Sequence, residues 1–295
     1  MQDGTVAPVE LAITLGMLNP RSWQDAARAA DDLGFGAVFV SDHLVAPAGP
    51  AGLLDGRDES ARMKPDTPLY DSLGYLQYLA GLTERVRLGT YVYLAALRHP
   101  FATARAVATL DRVSGGRALL GVGAGWLRSE FEAAQVPWAR RGSRLEEAVA
   151  VCRRLWREEL VEHRGEFWEF PPVGFAPKPL AADGVPVLFG GESDVAVARA
   201  ARYGDGWMGM GGHTPASAAK TVARLRELRG PDAGPFEVTV GGTVETPGDL
   251  EAWAAAGVDR VVVAPWASSR TAVADLKDFA GSVGLSGRRS SSPSG

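Results

Sequence analysis

Apolar residues in this chain follow two alternating patterns. Short continuous apolar runs, typical of strands buried on both faces, are followed by segments whose apolar residues recur about one turn apart. The first run, Glu10 to Gly16, predicts a strand. Pro20 and Ser22 then open a helix with Trp23, Ala26, Ala27 and Ala30 on one face, closed by Gly34 as a C-terminal glycine. Ala37–Val40 predicts a second strand, Asp71 to Gly81 a helix, and Val86 to Tyr93 a third strand. His99-Pro100 opens a helix that runs to Ser114-Gly115-Gly116, and residues 117–122 form the fourth strand.

The alternation continues with helices over Leu127 to Ala134 and roughly Ser143 to Glu159. Residues 160–180 break the rhythm: His163 to Phe170 alternates like a hairpin, and four prolines follow by Pro179, so this stretch reads as an insertion. Four further strands are expected at Pro186–Phe189, Gly206–Met208, Phe236–Val240 and Arg260–Val263. Helices follow them, to Tyr203 and over Ala216–Arg229, Pro247–Ala256 and Ala272–Gly281. Eight strands alternating with at least eight helices over 295 residues favour an α/β fold closed as a (β/α)8 TIM barrel over an open doubly wound sheet. The expected organisation is one barrel over 1–285, with a lid at 45–69, rich in Pro, Gly and Asp, and a Ser/Gly-rich disordered tail at 286–295.

Composition narrows the function classes. The chain is 46% hydrophobic and 22% charged, with a net charge of −4 and no long basic block, so nucleic acid is not expected as a partner. Cys152 is the only cysteine, which excludes an internal disulfide or a cysteine metal site; its helical context predicts core packing. No apolar run approaches the length of a membrane span, and no basic region precedes an apolar run as in a signal peptide, so the expected compartment is the cytoplasm. No His-Glu-x-x-His or comparable set predicts a metal, and no Gly-x-Ser-x-Gly elbow offers a hydrolase nucleophile.

In a barrel of this type, chemistry collects at the C-terminal ends of the strands. Asp42 and His43 follow strand two; an imidazole there can exchange a proton near neutral pH, and Asp42 could fix its tautomer. Tyr91 and Val92 follow strand three, and Pro265 and Trp266 follow strand eight. Strand four ends in Gly121, Gly123 and Gly125, then Trp126; glycines there let a bulky ligand lie against bare backbone. The spacing does not fit Gly-x-Gly-x-x-Gly, because Trp126 and Arg128 occupy the positions of the third glycine. Gly190, Gly191, Glu192 and Ser193 open a helix, whose free N–H groups suit a phosphate. His99 at a helix start is expected to be structural, and His163 and His213 show no spaced partner.

Several segments, in this order, resemble the luciferase-like superfamily of flavin and deazaflavin oxidoreductases, and most of all its coenzyme F420-dependent branch. They are Ser41-Asp42-His43-Leu44, Arg87-Leu88-Gly89-Thr90, Arg98-His99-Pro100, Asp111 to Arg117, Gly121 to Trp126, Gly190-Gly191 and Gly204-Asp205-Gly206-Trp207. The resemblance implies a barrel with F420 at its mouth and a homodimer. It places residues matching Asp42 and His43 beside the deazaflavin ring, with the histidine as proton-transfer candidate. It makes Tyr91 and Val92 a bulge under the ring, often with a non-proline cis peptide. Ala124, Gly125 and Trp126 match residues lining ring and tail, and Gly190 and Gly191 match the phosphate turn. The chain departs from the pattern at Trp126, where the family's sugar-phosphate dehydrogenases carry a catalytic glutamate. Glu130, about one turn on, is the candidate substitute. The expected activity is hydride transfer between F420 and a small organic substrate; an FMN-dependent monooxygenase and a non-catalytic flavin carrier are the alternatives.

Overall fold

The computed structural model describes residues 8–46, 53–54, 57–58 and 63–285. The barrel strands are β1 (Glu10–Thr14), β2 (Ala37–Val40), β3 (Arg87–Thr90), β4 (Ala118–Val122), β5 (Val187–Gly190), β6 (Gly206–His213), β7 (Glu237–Gly242) and β8 (Arg260–Val263). They run in chain order around a closed ring of parallel pairs, and β1 closes it by pairing with both β2 and β8. The connecting helices are α1 (Trp23–Leu33), α2 (Ser72–Ala80), α3 (Pro100–Ser114), α4 (Arg128–Ala133), α5 (Arg141–Arg157), α6 (Asp194–Tyr203), α7 (Pro215–Arg229) and α8 (Pro247–Ala255), with α9 (Ala272–Ser282) after the last strand. The fold is thus a (β/α)8 TIM barrel, as the alternating pattern predicts.

The strand period of two divides the core into two shells. One face of each strand packs outward under the helices. Inside the ring, Ala12, Phe39, Leu119, Leu188, Met208 and Val262 form a separate apolar plug. Below this plug, at the N-terminal ends of the strands, the interior is charged. Arg260, only 3% exposed, donates to Glu10 at 2.6 Å and also to Glu237, which Arg87 reaches at 3.3 Å. Those charges are paired, as burial demands, and they seal the end of the barrel opposite the mouth.

Local chemistry sets the element ends. Gly34 (φ +88°) and Gly115 (φ +71°) end α1 and α3 in the left-handed conformation that glycine tolerates. Asp71 caps α2 by accepting from the N–H of Gly74. Asp31, buried on α1, accepts from the N–H groups of Glu84, Arg85 and Val86 at 2.7–2.9 Å and so anchors the loop before β3. Burial pushes its pKa up, but these three donors outweigh it and hold the carboxyl below its ordinary value.

Several boundaries differ from the sequence pattern, two of them at the barrel mouth. The third strand ends at Thr90, and beyond it Tyr93 alone bridges again, to Val122; the Tyr91–Val92 peptide between them is cis. The sixth strand continues past Met208 to His213, paired to β7 through an irregular register. Its Gly209, Gly211 and Gly212 carry no apolar signal, so the extension is invisible to periodicity.

Residues 160–174 form an antiparallel hairpin, Leu160–Arg164 with Glu169–Gly174, outside the barrel. His163 Nε2 lies 3.0 Å from Glu147 of α5. Glu147 also accepts from the N–H groups of Glu166, Phe167 and Trp168, pinning the hairpin to α5. The expected lid at 45–69 is described only in part, since residues 47–52, 55–56 and 59–62 lie outside the described residues; Leu53–Leu54 and Arg57–Asp58 pair antiparallel. The expected tail, 286–295, also lies outside them. No described helix is long and apolar enough to cross a membrane.

Candidate active site

The C-terminal mouth of the barrel is built on the residues after β2, β3, β4, β5 and β6. Its floor is the top of the inner plug, against which Tyr91 and Val92 pack. Tyr91 sets its ring 5.8 Å from Phe39 and donates its hydroxyl to the carbonyl of Gly209 at 2.5 Å, tying β3 to β6. Burial, and then the charge of Glu192, push this hydroxyl's pKa far up, so it remains a neutral donor.

Val92 explains much of the glycine pattern. A Cβ on Gly190 would stand 2.8 Å from the Val92 side chain, and one on Gly123 would collide with it. A Cβ on Gly121 would strike the Thr90 carbonyl and Met208. Gly125 has φ +84°, and a Cβ there would lie 2.5 Å from Phe131. Protein side chains and backbone thus take up the room that a Cβ on these glycines would need. Their effect is to let Val92 pack closely against the ends of β4 and β5.

Asp42 and His43 are adjacent in sequence but do not serve each other. Asp42 is buried and accepts four hydrogen bonds: two from Arg98 at 2.7 and 3.0 Å, one from the Ser72 hydroxyl and one from the Leu94 N–H. Arg98 also lies over the Tyr93 ring, 4.4 Å from its centroid. Burial would lower the Arg98 pKa, yet the Asp42 charge overrides it and holds it above its ordinary value. Asp42 thus ties the segment after β2 to the segment after β3, and its oxygens are occupied.

The carboxylate that meets His43 is Glu130. Its Oε2 lies 3.0 Å from His43 Nδ1, and its Oε1 accepts from the N–H groups of Leu44 at 2.5 Å and Val45 at 3.3 Å. Glu130 is completely buried, in the first turn of α4, whereas the His43 side chain keeps 15% of its surface exposed. The expectation that Asp42 fixes the tautomer is corrected by this geometry. A carboxylate at Nδ1 selects the Nδ1–H form and leaves the Nε2 lone pair free; among the described residues no group pairs with Nε2. Trp126 places its indole edge-on to the imidazole, 5.7 Å between centroids. Glu130 is 87 residues from His43, and its spacing from Trp126 was its only sequence signal.

At the β5 end, Gly191 has φ +126° and Ser193 caps α6 by accepting from the Ala196 N–H. Among the described residues the N–H groups of Glu192 and Ser193 meet no protein acceptor, as an anion site requires. The Glu192 side chain turns away, accepting from the Met210 N–H at 2.6 Å and lying 3.1 Å from His213 Nε2. Beside β8, the half-buried Trp266 has a buried indole N–H without a partner. Among the described residues no three His, Cys, Asp or Glu side chains gather as metal ligands do.

The His43–Glu130 pair thus stands at the C-terminal ends of the strands, where barrels of this type carry their chemistry. The chain belongs to the luciferase-like monooxygenase family, whose model matches residues 1–284. It is 31% identical to an uncharacterized protein of Mycobacterium tuberculosis, over 72% of this chain and 74% of that one. It is 33% identical to an F420-dependent glucose-6-phosphate dehydrogenase of Nakamurella multipartita, over 69% of this chain and 56% of that enzyme. In fold it is similar to the monooxygenase RslO1 of Streptomyces bottropensis, with a TM-score of 0.74, 20% identity and coverage of 93% of this chain and 98% of that one.

Proposed function

We propose that this protein is a coenzyme F420-dependent oxidoreductase that moves a hydride between the deazaflavin and a small organic substrate, with His43 as proton donor or acceptor. The observation that carries this reading is the His43–Glu130 pair at the mouth, with no partner for Nε2 among the described residues. The likeness to the F420-dependent dehydrogenase supports the choice of cofactor. The donor set also fits: two unpaired N–H groups for a phosphate and the Tyr91–Val92 platform for a planar ring. Asp42, His43, Tyr91, Val92, Ala124, Gly125 and Trp126 would surround the ring, and Gly190, Gly191 and the backbone of Glu192 the phosphate.

When bound, F420 supplies the carbon that gives or takes hydride. The chain's own groups do the rest. Glu130 holds the imidazole by Nδ1 and stabilises it whenever it becomes charged. Nε2 takes a proton when the substrate is oxidised and returns one when it is reduced. Trp126 walls the site and keeps water from the imidazole face; an indole has no proton to exchange at neutral pH. Trp126 stands where the sugar-phosphate enzymes carry their glutamate, and Glu130 is committed to His43 and the Leu44 backbone, which speaks against a sugar phosphate; Trp126, Met210 and Trp266 favour a partly apolar substrate. The same reading has the enzyme act in the cytoplasm as a homodimer.

Titration of the purified protein with F420 and with FMN, followed by fluorescence, tests the cofactor. Saturable F420 binding and weaker FMN binding are expected. Tight FMN binding without F420 binding, with oxygen consumed in the presence of reduced FMN, would replace the reading by a monooxygenase. Tight cofactor binding without turnover on a broad substrate panel would make the protein a carrier.

A further inference from the structure

The rim between β4 and β5 carries a guanidinium that no carboxylate among the described residues neutralises. Arg141, the first residue of α5, donates from Nε to the Gly125 carbonyl at 3.3 Å and from Nη1 to the Trp138 carbonyl at 3.2 Å. Its guanidinium lies flat on Trp138, 3.6 Å from the ring centroid. Among the described residues it has no acidic partner, whereas its neighbours do: Arg140 pairs with Glu166, and Arg199 of α6 with Glu146 at 2.7 Å. Burial, and then the charge of Arg199, lower the Arg141 pKa. A half-buried cation next to a second cation is unfavourable until an anion arrives. The stacking fixes its direction, and three of its five N–H groups are left for a ligand.

Its position says which anion. Arg141 hangs from Gly125, in the turn that flanks the ring, and its neighbour Arg199 belongs to the helix that starts at the phosphate turn. We propose that Arg141, backed by Arg199, is the subsite for the acidic tail of the cofactor: the carboxylates that follow the F420 phosphate. Planar, oriented guanidinium suits carboxylate. This assignment rests on the F420 reading, and it gives the protein a handle that FMN, which ends at its phosphate, does not have.

The test compares two ligands by fluorescence titration: F420 with its oligoglutamate tail, and the same deazaflavin ending at the ribitol phosphate. The proteins are the wild type, Arg141→Gln and Arg141→Lys, each checked by its thermal melt. Arg141→Gln is expected to weaken F420 binding about tenfold, the scale of one charge-assisted contact, and to leave the truncated ligand within about twofold. Arg141→Lys is expected to recover part of the loss, and the wild-type preference for the tailed ligand to shrink at high salt. Unchanged F420 binding in Arg141→Gln, or equal losses on both ligands, would overturn the tail subsite alone. Failure of the wild type to bind either deazaflavin would remove the functional reading together with it.

Discussion

Replacing Glu130 by Gln tests the site without knowledge of the substrate. The change keeps shape and removes charge. In the wild type, Oε2 meets His43 Nδ1 at 3.0 Å in a fully buried setting, while Oε1 holds the Leu44 and Val45 N–H groups. A hydrogen bond to a buried charge contributes about 1.5–3 kcal/mol, which biases the imidazole towards Nδ1–H about 10- to 150-fold. Glutamine has one oxygen and one NH2 group. The two backbone donors claim the oxygen, so the NH2 group faces Nδ1 and demands a lone pair there. The proton then moves to Nε2, and the free lone pair is lost from the mouth. Nitrogen-15 NMR of the ring-labelled protein reads this directly: Nδ1–H in the wild type and Nε2–H in Glu130→Gln. Hydride transfer is expected to fall about 10²- to 10⁴-fold, the usual worth of a positioned acid or base, with F420 affinity within about threefold. An Nε2–H tautomer in the wild type, or an unchanged tautomer in the variant, would refute the pairing of Glu130 with His43.

Other expectations follow from the same geometry. Asp42→Asn leaves the Arg98 guanidinium buried without its carboxylate and should cost about 3–5 kcal/mol in a denaturant titration, while the His43 tautomer signal stays as in the wild type. Gly123→Ala drives a methyl into Val92, which already abuts Gly190, and should cost about 1–3 kcal/mol and weaken cofactor binding; a thermal melt and a titration check both. Asp31 and Glu147 have carboxyls held below their ordinary values of 3.8 and 4.5, although burial alone would raise them. Groups with depressed folded pKa values stabilise the protein above their unfolded values and lose that contribution as pH falls through the folded ones. Urea midpoints should therefore be insensitive to these groups above about pH 5 and fall below about pH 4, with a shallower acid limb in Asp31→Asn.

Much of the site was legible one residue at a time. His43 stands out because a lone imidazole follows a short apolar strand, and Tyr91, Trp126 and the Gly190-Gly191 turn are marked by their places at strand ends. What they touch was not legible. Asp42 is the nearest carboxylate to His43 in sequence, yet successive residues leaving a strand point apart, and Asp42 turns to Arg98 instead. The two glycine turns look alike as ligand cradles until Val92 is seen between Gly123 and Gly190. The histidine partners Glu147 and Glu192 come from elements well away in sequence, which no local spacing can reveal.

The sequence by itself determined the barrel. Alternation of strand and helix periods is a local property, and eight such units have few ways to bury both faces of every strand. It also determined where α1 and α3 stop and where α2 starts, since glycine and Asx-type caps act within a turn of where they stand. The tertiary structure alone decided which carboxylate holds His43, which guanidinium at the rim has no acidic partner among the described residues, and why Gly121, Gly123 and Gly125 must lack side chains. Those are contacts between residues tens of positions apart, and only closure of the ring brings the strand ends to one mouth.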